Sequence, residues 1–363
     1  MKLLCVIDSL GSGGAQRQLV EMGIAFKKNN YEVNFLVYQD IPFYEDRLKA
    51  ANIPVTKIVE RNYFKRVVRM YTFMRNNDFN IVISFLETPS FIAELSTFPT
   101  KKWKLIVGER SATPKIYKSP KLLFYRLFHL RADYIVANSH QNINILKKVN
   151  PFIPAKKYKV IYNSFDFEKW NNEGLHANEN KIGLPLTIAV AASIYPVKNL
   201  ESLIIALSML DKKEKEMIKI NWYGKGNNED NQYFVECLAL IKKHKVEENI
   251  QFWGETKNVI AAMKQADFVG LFSLYEGLPN AICEGMAIGK PILAPSISDL
   301  PIIINEENGV LFNPNSVEEI SNALKYIITL PKQKIKEMGM NSRKKALFYF
   351  DKKKIIQQYI DLF

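Results

Sequence analysis

Two glutamates, Glu276 and Glu284, stand eight positions apart in the segment SLYEGLPNAICEGMA (residues 273–287). The residues between them suit aiming: Gly277 permits a tight turn, and Pro279 fits the first position of a helix that carries Glu284 on its second turn. A helix opening there turns backbone N–H groups and its positive end outward, where a diphosphate or a sugar hydroxyl could bind. A second segment, AASIYPVKNL (residues 191–200), leaves a strand pattern and enters a helical one. It carries Lys198, a compact cation able to neutralise phosphate charge. A third, GSGGAQRQ (residues 11–18), follows the first strand pattern. It lacks the G-x-G-x-x-G spacing and following acid of a dinucleotide site, yet Gly13 and Gly14 allow close backbone approach and Arg17 adds a cation. Arg110 in IVGER (106–110), Gly224 in WYGKG (222–226) and Gly254 in FWGE (252–255) also fall at predicted strand ends.

The elements that would carry these residues alternate. Strand patterns over Lys2–Ser9, Val33–Tyr38, Ile81–Phe85, Leu105–Val107, Tyr134–Ala137 and Lys159–Tyr162 are separated by helical stretches, the first over Ala15–Lys28. A polar run, Asn163–Lys181, reads as a linker. The alternation restarts with strands at Leu186–Ala192, Lys219–Tyr223, Ile250–Trp253 and Phe268–Phe272, then Pro291–Ala294 and Gly309–Phe312, and closes on helices at Val317–Thr329, Lys332–Leu347 and Lys352–Phe363. Such a pattern predicts an α/β protein of two doubly wound, Rossmann-like domains, over 1–165 and 182–349, each binding ligand at the carboxyl ends of its strands.

Composition agrees with a folded chain of that size. Of 363 residues, 47% are hydrophobic and 24% charged, which excludes disordered, collagenous and disulfide-scaffold classes. Cys5, Cys237 and Cys283 are odd in number and set in apolar surroundings, suiting core positions in a reducing, cytoplasmic compartment. No apolar run reaches the roughly 18 residues of a spanning helix, so none is expected.

The formal charge of +13 is unevenly divided: residues 1–165 carry 26 Lys and Arg against 12 Asp and Glu, so the excess lies in the first half. A basic face of this kind serves nucleic acid, an anionic membrane surface or a phosphorylated small molecule. Within it, Arg61–Arg75 and Lys115–Arg131 mix cations with large apolar side chains, the make-up of helices that lie in an anionic membrane interface. There is no D-x-D pair, no H-E-x-x-H, no Cys/His cluster and no P-loop, and His129, His140, His176 and His244 are scattered.

The segment from Glu276 to Glu284 resembles the E-x7-E motif of the retaining GT-B glycosyltransferases of family 4, and AASIYPVKNL resembles that family's G-R-L-x-x-x-K-G signature. The resemblance implies a GT-B fold with the final helix, 350–363, packing back on the amino-terminal domain. It implies that Glu276 contacts the transferred sugar, Glu284 the ribose hydroxyls and Lys198 the diphosphate, with N–H groups of Gly277, Leu278 and Asn280 helping to hold the donor. Gly13, Gly14, Gly224 and Gly254 would shape the donor pocket. Ser193 stands where many members have arginine, which removes one expected phosphate cation. Arg17 and Arg110 would meet the acceptor. The activity implied is transfer of a sugar from a nucleotide-diphosphate donor, with a lean to uridine, to a glycan or lipid-diphosphate-linked acceptor in surface polysaccharide synthesis, such as capsule or lipopolysaccharide. No metal and no cofactor beyond the co-substrate is expected, and an anionic membrane surface is an expected partner. Two rivals are a nucleotide-sugar hydrolase or epimerase on the same fold and a non-catalytic nucleic-acid-binding protein. The glutamate pair weighs against the first, and the lack of a nucleic-acid module and the neutral second half against the other.

Overall fold

A computed structural model of the chain describes residues 1–110, 114–165, 167, 185–256 and 258–363. These divide into two compact units, one formed by Met1–Ser164 with Lys353–Phe363 and the other by Phe165–Lys352. Most of the linker predicted over 163–181 lies outside the described residues, as does His176.

The first unit is built on seven parallel strands: β1 (Lys2–Val6), β2 (Glu32–Val37), β3 (Val55–Lys57), β4 (Ile81–Phe85), β5 (Lys104–Glu109), β6 (Tyr134–Ala137) and β7 (Tyr158–Val160). Their order is β3-β2-β1-β4-β5-β6-β7, so the sheet reverses direction of growth between β1 and β4. β1 and β4 are almost wholly buried apolar runs, as a sheet covered on both faces requires. Helices α1 (Gly14–Lys28), α2 (Glu45–Ala50), α3 (Tyr63–Arg75), α4 (Glu87–Leu95), α5 (Pro120–Leu127) and α6 (His140–Val149) connect the strands. Lys27 and Lys28 lie in the last turn of α1, where cations complement the negative helix end. The final helix, Lys352–Ile360, buries Ile355, Ile356 and Tyr359 in the same core as Leu3, Phe26 and Phe35.

The second unit has six parallel strands: β8 (Leu186–Ala191), β9 (Ile218–Tyr223), β10 (Ile250–Gly254), β11 (Phe268–Gly270), β12 (Ile292–Pro295) and β13 (Gly309–Phe312). The order β10-β9-β8-β11-β12-β13 puts its reversal between β8 and β11, which pair at Phe268 with Ile188 and at Gly270 with Val190. One core joins β8, β9 and the helices Leu200–Ser208 and Val317–Ile328 around buried Trp222. The two doubly wound parallel sheets are those expected from the alternation.

Several details differ from the sequence expectation. The short edge strand β3 and helix α2 were not anticipated. The strand predicted over Phe268–Phe272 stops at Gly270. Pro279 caps the following helix instead of opening it, because its extended ψ of 116° holds it outside the helical turn. The basic stretch Lys115–Arg131 is not one helix: Ser119 accepts from the Leu122 N–H and caps α5 with Pro120 just inside, leaving single turns at Pro114–Lys118 and Phe128–Arg131 on either side. Cys5, Cys237 and Cys283 are all buried. Among the described residues no helix is long and apolar enough to cross a membrane.

Candidate functional site

The reversal of strand order in the second sheet explains how its two motifs meet. The loops leaving β8 and β11 start side by side, at the edge where open α/β sheets hold ligands. The β8 loop is fastened first: Ala192 N–H donates to the Tyr223 carbonyl at 2.9 Å and the Trp222 indole to the Ala192 carbonyl at 2.6 Å. Ile194 N–H reaches the Lys225 carbonyl at 2.7 Å, and the Asn231 amide spans the Ile194 and Gly226 carbonyls. Gly224 is required here, since a Cβ would lie 2.1 Å from the Ala192 oxygen and 2.9 Å from Ser193 N. Gly224 N–H also donates to the Gly254 carbonyl at 2.8 Å, so both glycines hold strand ends around the turn that carries Ser193. Gly224→Ala is therefore expected to cost about 1–3 kcal/mol through forced displacement of that turn. Thermal unfolding should show a fall of several degrees.

From that turn, Pro196–Lys198 forms a short 3-10 turn, and Asn199 takes the left-handed conformation (φ +61°) while its buried amide grips the Pro314 carbonyl at 2.9 Å. Leu274 N–H donates to the Val197 carbonyl at 2.9 Å, tying the two loops together. Lys198 Nζ and Glu276 Oε1 then meet at 2.5 Å, with side chains 23% and 18% exposed. A lysine held against a carboxylate at a ligand edge can exchange that partner for a phosphate, freeing the carboxylate to orient a hydroxyl. In the same loop the buried Ser273 hydroxyl has no hydrogen-bond partner among the described residues, the kind of group a ligand satisfies.

Beyond Glu276, Gly277 is buried and its carbonyl accepts from the Ser298 hydroxyl at 2.5 Å, with Ser298 itself left-handed at φ +51°. Leu278 is buried, and the helix Asn280–Ala287 begins without a side-chain cap. Glu284 lies buried on its second turn. Sequence reading passed over one neighbouring feature: Tyr223 and Trp253, at the ends of β9 and β10, stack with centroids 6.2 Å apart. Aromatic residues closing adjacent strands are the signal that could have found it.

In the first unit, the glycine loop follows β1 at that sheet's own reversal point. Asp8 organises it by accepting from the Ser9 N–H at 2.6 Å and the Gln16 amide at 2.9 Å. Gly13 caps α1, Gly14 opens it, and both are exposed, with Arg17 half-buried one turn on. Arg110, expected to meet the acceptor, makes these contacts within its own unit. Its guanidinium donates to Tyr359 Oη at 2.6 Å and Asn163 Oδ1 at 3.1 Å and lies 3.8 Å over the Phe85 ring, fastening the final helix to the sheet edge.

A buried ionic cluster lies beneath that edge. His129 sits between two carboxylates, Nδ1 at 2.6 Å from Glu94 and Nε2 at 3.0 Å from Glu109, while Arg126 donates to the other Glu109 oxygen at 3.0 Å. Burial disfavours every charge here. The two glutamates nonetheless push His129 up to about 9, and Arg126 with His129 holds Glu109 down to about 2. Burial moves the Glu94 carboxyl upward, with His129 pulling against it. The only sequence signal was four chargeable residues at otherwise apolar positions. Above the cluster, Leu86 joins β4 to α4 at φ +74° and ψ 160°, a region nearly reserved for glycine. Among the described residues no group of three or more His, Cys, Asp or Glu side chains is arranged to hold a metal ion.

The chain is 25% identical, over 98% of its length and 97% of the relative's, to the N-acetylgalactosamine-N,N'-diacetylbacillosaminyl-diphospho-undecaprenol 4-alpha-N-acetylgalactosaminyltransferase of Campylobacter jejuni. It is 25% identical, over 100% of its length and 98% of the relative's, to the GalNAc-alpha-(1->4)-GalNAc-alpha-(1->3)-diNAcBac-PP-undecaprenol alpha-1,4-N-acetyl-D-galactosaminyltransferase of the same organism. The crystal structure of Anabaena HepE in complex with UDP and glucose has the same fold, with a TM-score of 0.82 at 20% identity over 99% of this chain and 98% of that one. The profile described as Glycosyl transferases group 1 matches residues 172–345, and that described as Glycosyltransferase Family 4 matches residues 12–169. With both profiles matched in tandem on two doubly wound sheets, the chain belongs to the family 4 glycosyltransferases of GT-B fold.

Proposed function

We propose that this glycosyltransferase moves a sugar, with retention of configuration, from a UDP-sugar to a hydroxyl of a lipid-diphosphate-linked glycan during surface polysaccharide assembly. The observation that carries the reading is the contact between Lys198 and Glu276 at the reversal point of the second sheet. That unit holds the donor. Lys198 passes from Glu276 to the donor diphosphate, and because Ser193 supplies no charge, the positive amino-terminal end of the helix at Asn280 takes the remaining phosphate charge with no metal ion. Glu276 orients the sugar and steadies positive charge at its anomeric carbon, and Glu284 binds the ribose hydroxyls. Gly254 and the stacked Tyr223 and Trp253 border the same strand ends. The anomeric carbon–phosphate oxygen bond breaks as the acceptor oxygen bonds from the same face, and the acceptor proton passes to the departing diphosphate.

The first unit takes the acceptor, with Arg17 one turn into α1 at its own reversal point. Support for a lipid-linked acceptor comes from the diphospho-undecaprenol substrates named for the two Campylobacter relatives, and support for uridine from the UDP bound to Anabaena HepE. The enzyme then works at the inner face of the cytoplasmic membrane.

The test is titration of UDP, GDP and ADP, with chelator and with magnesium, into wild type and Glu284→Ala, read as thermal stability. A ligand bound only by the native state raises the melting temperature, by about 2.7 kcal/mol of stabilisation at a hundredfold excess over Kd. UDP with chelator is expected to stabilise wild type and not the variant. Stabilisation by none of the three overturns the donor reading, and release of free sugar with every acceptor tried would make the protein a hydrolase.

A further inference from the structure

We infer that Ser298 is a positioning residue for the donor diphosphate: its hydroxyl fixes the Gly277–Leu278 peptide so that the Leu278 N–H is aimed at the phosphate that carries the sugar. The inference rests on the proposal that the second unit holds the donor, and it adds a residue that touches neither sugar nor phosphate itself.

Strand order sets the geometry. β11 lies between β8 and β12, so the loop carrying Glu276 has the Lys198 loop on one side and the loop after β12 on the other. Ser298 belongs to the loop after β12 and holds the Gly277 carbonyl from that side, at 2.5 Å. In a trans peptide the carbonyl and the following N–H point in opposite directions within one plane. A Gly277 carbonyl turned toward Ser298 therefore turns the Leu278 N–H away from it, toward the side on which Lys198 meets Glu276. Leu278 stands two positions from each of two proposed donor contacts, Glu276 at the sugar and the start of the helix Asn280–Ala287 at the phosphates. Between them lies the second phosphate of the diphosphate, the one bonded to the sugar.

No other contact fixes this peptide. Leu274 N–H is tied to the Val197 carbonyl, and the Pro279 carbonyl accepts from the Ile282 and Cys283 N–H groups at 3.2 and 3.3 Å, so the segment is fastened at both ends. Between those ends Gly277 has no side chain to restrain its backbone, and the Ser298 hydroxyl supplies its one hydrogen bond among the described residues. The holder itself is rigid. Ile297 N–H donates to the Pro295 carbonyl at 2.9 Å and Leu300 N–H to the Ile297 carbonyl at 3.1 Å, closing the turn on both sides of Ser298. Within that turn Ser298 takes φ +51°, which glycine adopts freely and serine only at a cost. Backbone strain held beside a ligand edge, in a residue whose side chain reaches the ligand loop, is the pattern of a group kept for function over stability.

The test compares Ser298→Gly and Ser298→Ala with wild type, by titration of UDP and of UMP to millimolar concentration and by thermal unfolding of the free proteins. Glycine removes the hydroxyl and relieves the left-handed strain together, so Ser298→Gly should melt at or above the wild-type temperature. UDP affinity should nevertheless fall about five- to tenfold in both variants, the loss expected of one ordering hydrogen bond. UMP lacks the second phosphate, and its affinity should stay within about twofold of wild type. A purely structural contact would give no such split between the two nucleotides. Unchanged UDP affinity in both variants, equal losses for UDP and UMP, or a loss in Ser298→Ala that Ser298→Gly restores would each overturn the positioning role, the last by showing that backbone conformation decides binding. So would a Ser298→Gly protein that melts more than about 5 °C below wild type, since the hydroxyl would then be holding the fold. A wild type that binds neither nucleotide overturns the donor reading instead, and the role of Ser298 falls with it.

Discussion

Glu276→Gln is expected to lower kcat for sugar transfer by about 10²–10³-fold while moving the melting temperature by no more than about 2 °C. Removing one preorganised group aimed at developing charge costs that much in rate, whereas the amide keeps the size of the carboxylate and its oxygen still accepts from Lys198, so folding is little disturbed. Lys198→Ala should lose kcat to a similar degree, and weaken UDP affinity as well, because the cation meets the diphosphate in the bound state and the leaving group in the transition state. The two residues touch at 2.5 Å, so their effects should not add. In the double variant neither partner is left with an unmatched charge, and its kcat should fall little below that of the worse single variant. Steady-state kinetics on the four proteins, each checked by thermal unfolding, measures this. A kcat within about threefold of wild type in Glu276→Gln, or strictly multiplicative losses in the double variant, would show that the pair is a surface contact and that the charge stabilisation comes from elsewhere.

The separate halves of that pair were legible because each follows a buried parallel strand and is marked by local chemistry: Gly277 and Pro279 around one residue, Pro196 and Asn199 around the other. Their meeting was not legible, since it depends on β8 lying beside β11, and strand order is a property of the whole sheet. Local reading also misjudged where an element closes on itself. Ser119 and Pro120 are a cap and first-turn signal that divides the predicted Lys115–Arg131 helix, while the apolar pattern runs straight across them. β3, two half-buried residues and an exposed lysine at a sheet edge, has too little alternation to register. Arg110 shows the opposite limit. Its place at a strand end was readable, but its engagement by Tyr359 was not, because those residues are 249 positions apart. The ionic cluster failed for the same reason. Glu94 and His129 look like ordinary surface residues until α4 and the turn after α5 are packed onto β5.

That cluster sets the largest expected effect on stability. His129→Ala removes the cation between Glu94 and Glu109, both buried, and leaves Glu94 with no positive neighbour in direct contact. Breaking a buried pair in this way costs about 3–5 kcal/mol, a fall of about 10 °C in melting temperature for a unit of this size. Glu94→Gln should cost much less, since an amide still reaches the ring and no buried charge is orphaned. The pH dependence separates this account from simple loss of packing. His129 is pushed up to about 9 from an ordinary 6.5, so its stabilisation is complete below about pH 6.5 and is lost as pH rises through 9. Glu109, held down to about 2 from an ordinary 4.5, stabilises above about pH 4.5 and loses that contribution as pH falls through 2. Glu94, moved upward by burial, works the other way and favours folding most strongly at acid pH. The advantage of wild type over His129→Gln should therefore be widest between about pH 4.5 and 6.5 and shrink steadily toward pH 9. Denaturant unfolding of both proteins across that range measures it. A difference that stays constant with pH would mean that the imidazole is neutral in the folded state and that its shape, not its charge, holds α4 and the turn after α5 to the strand edge.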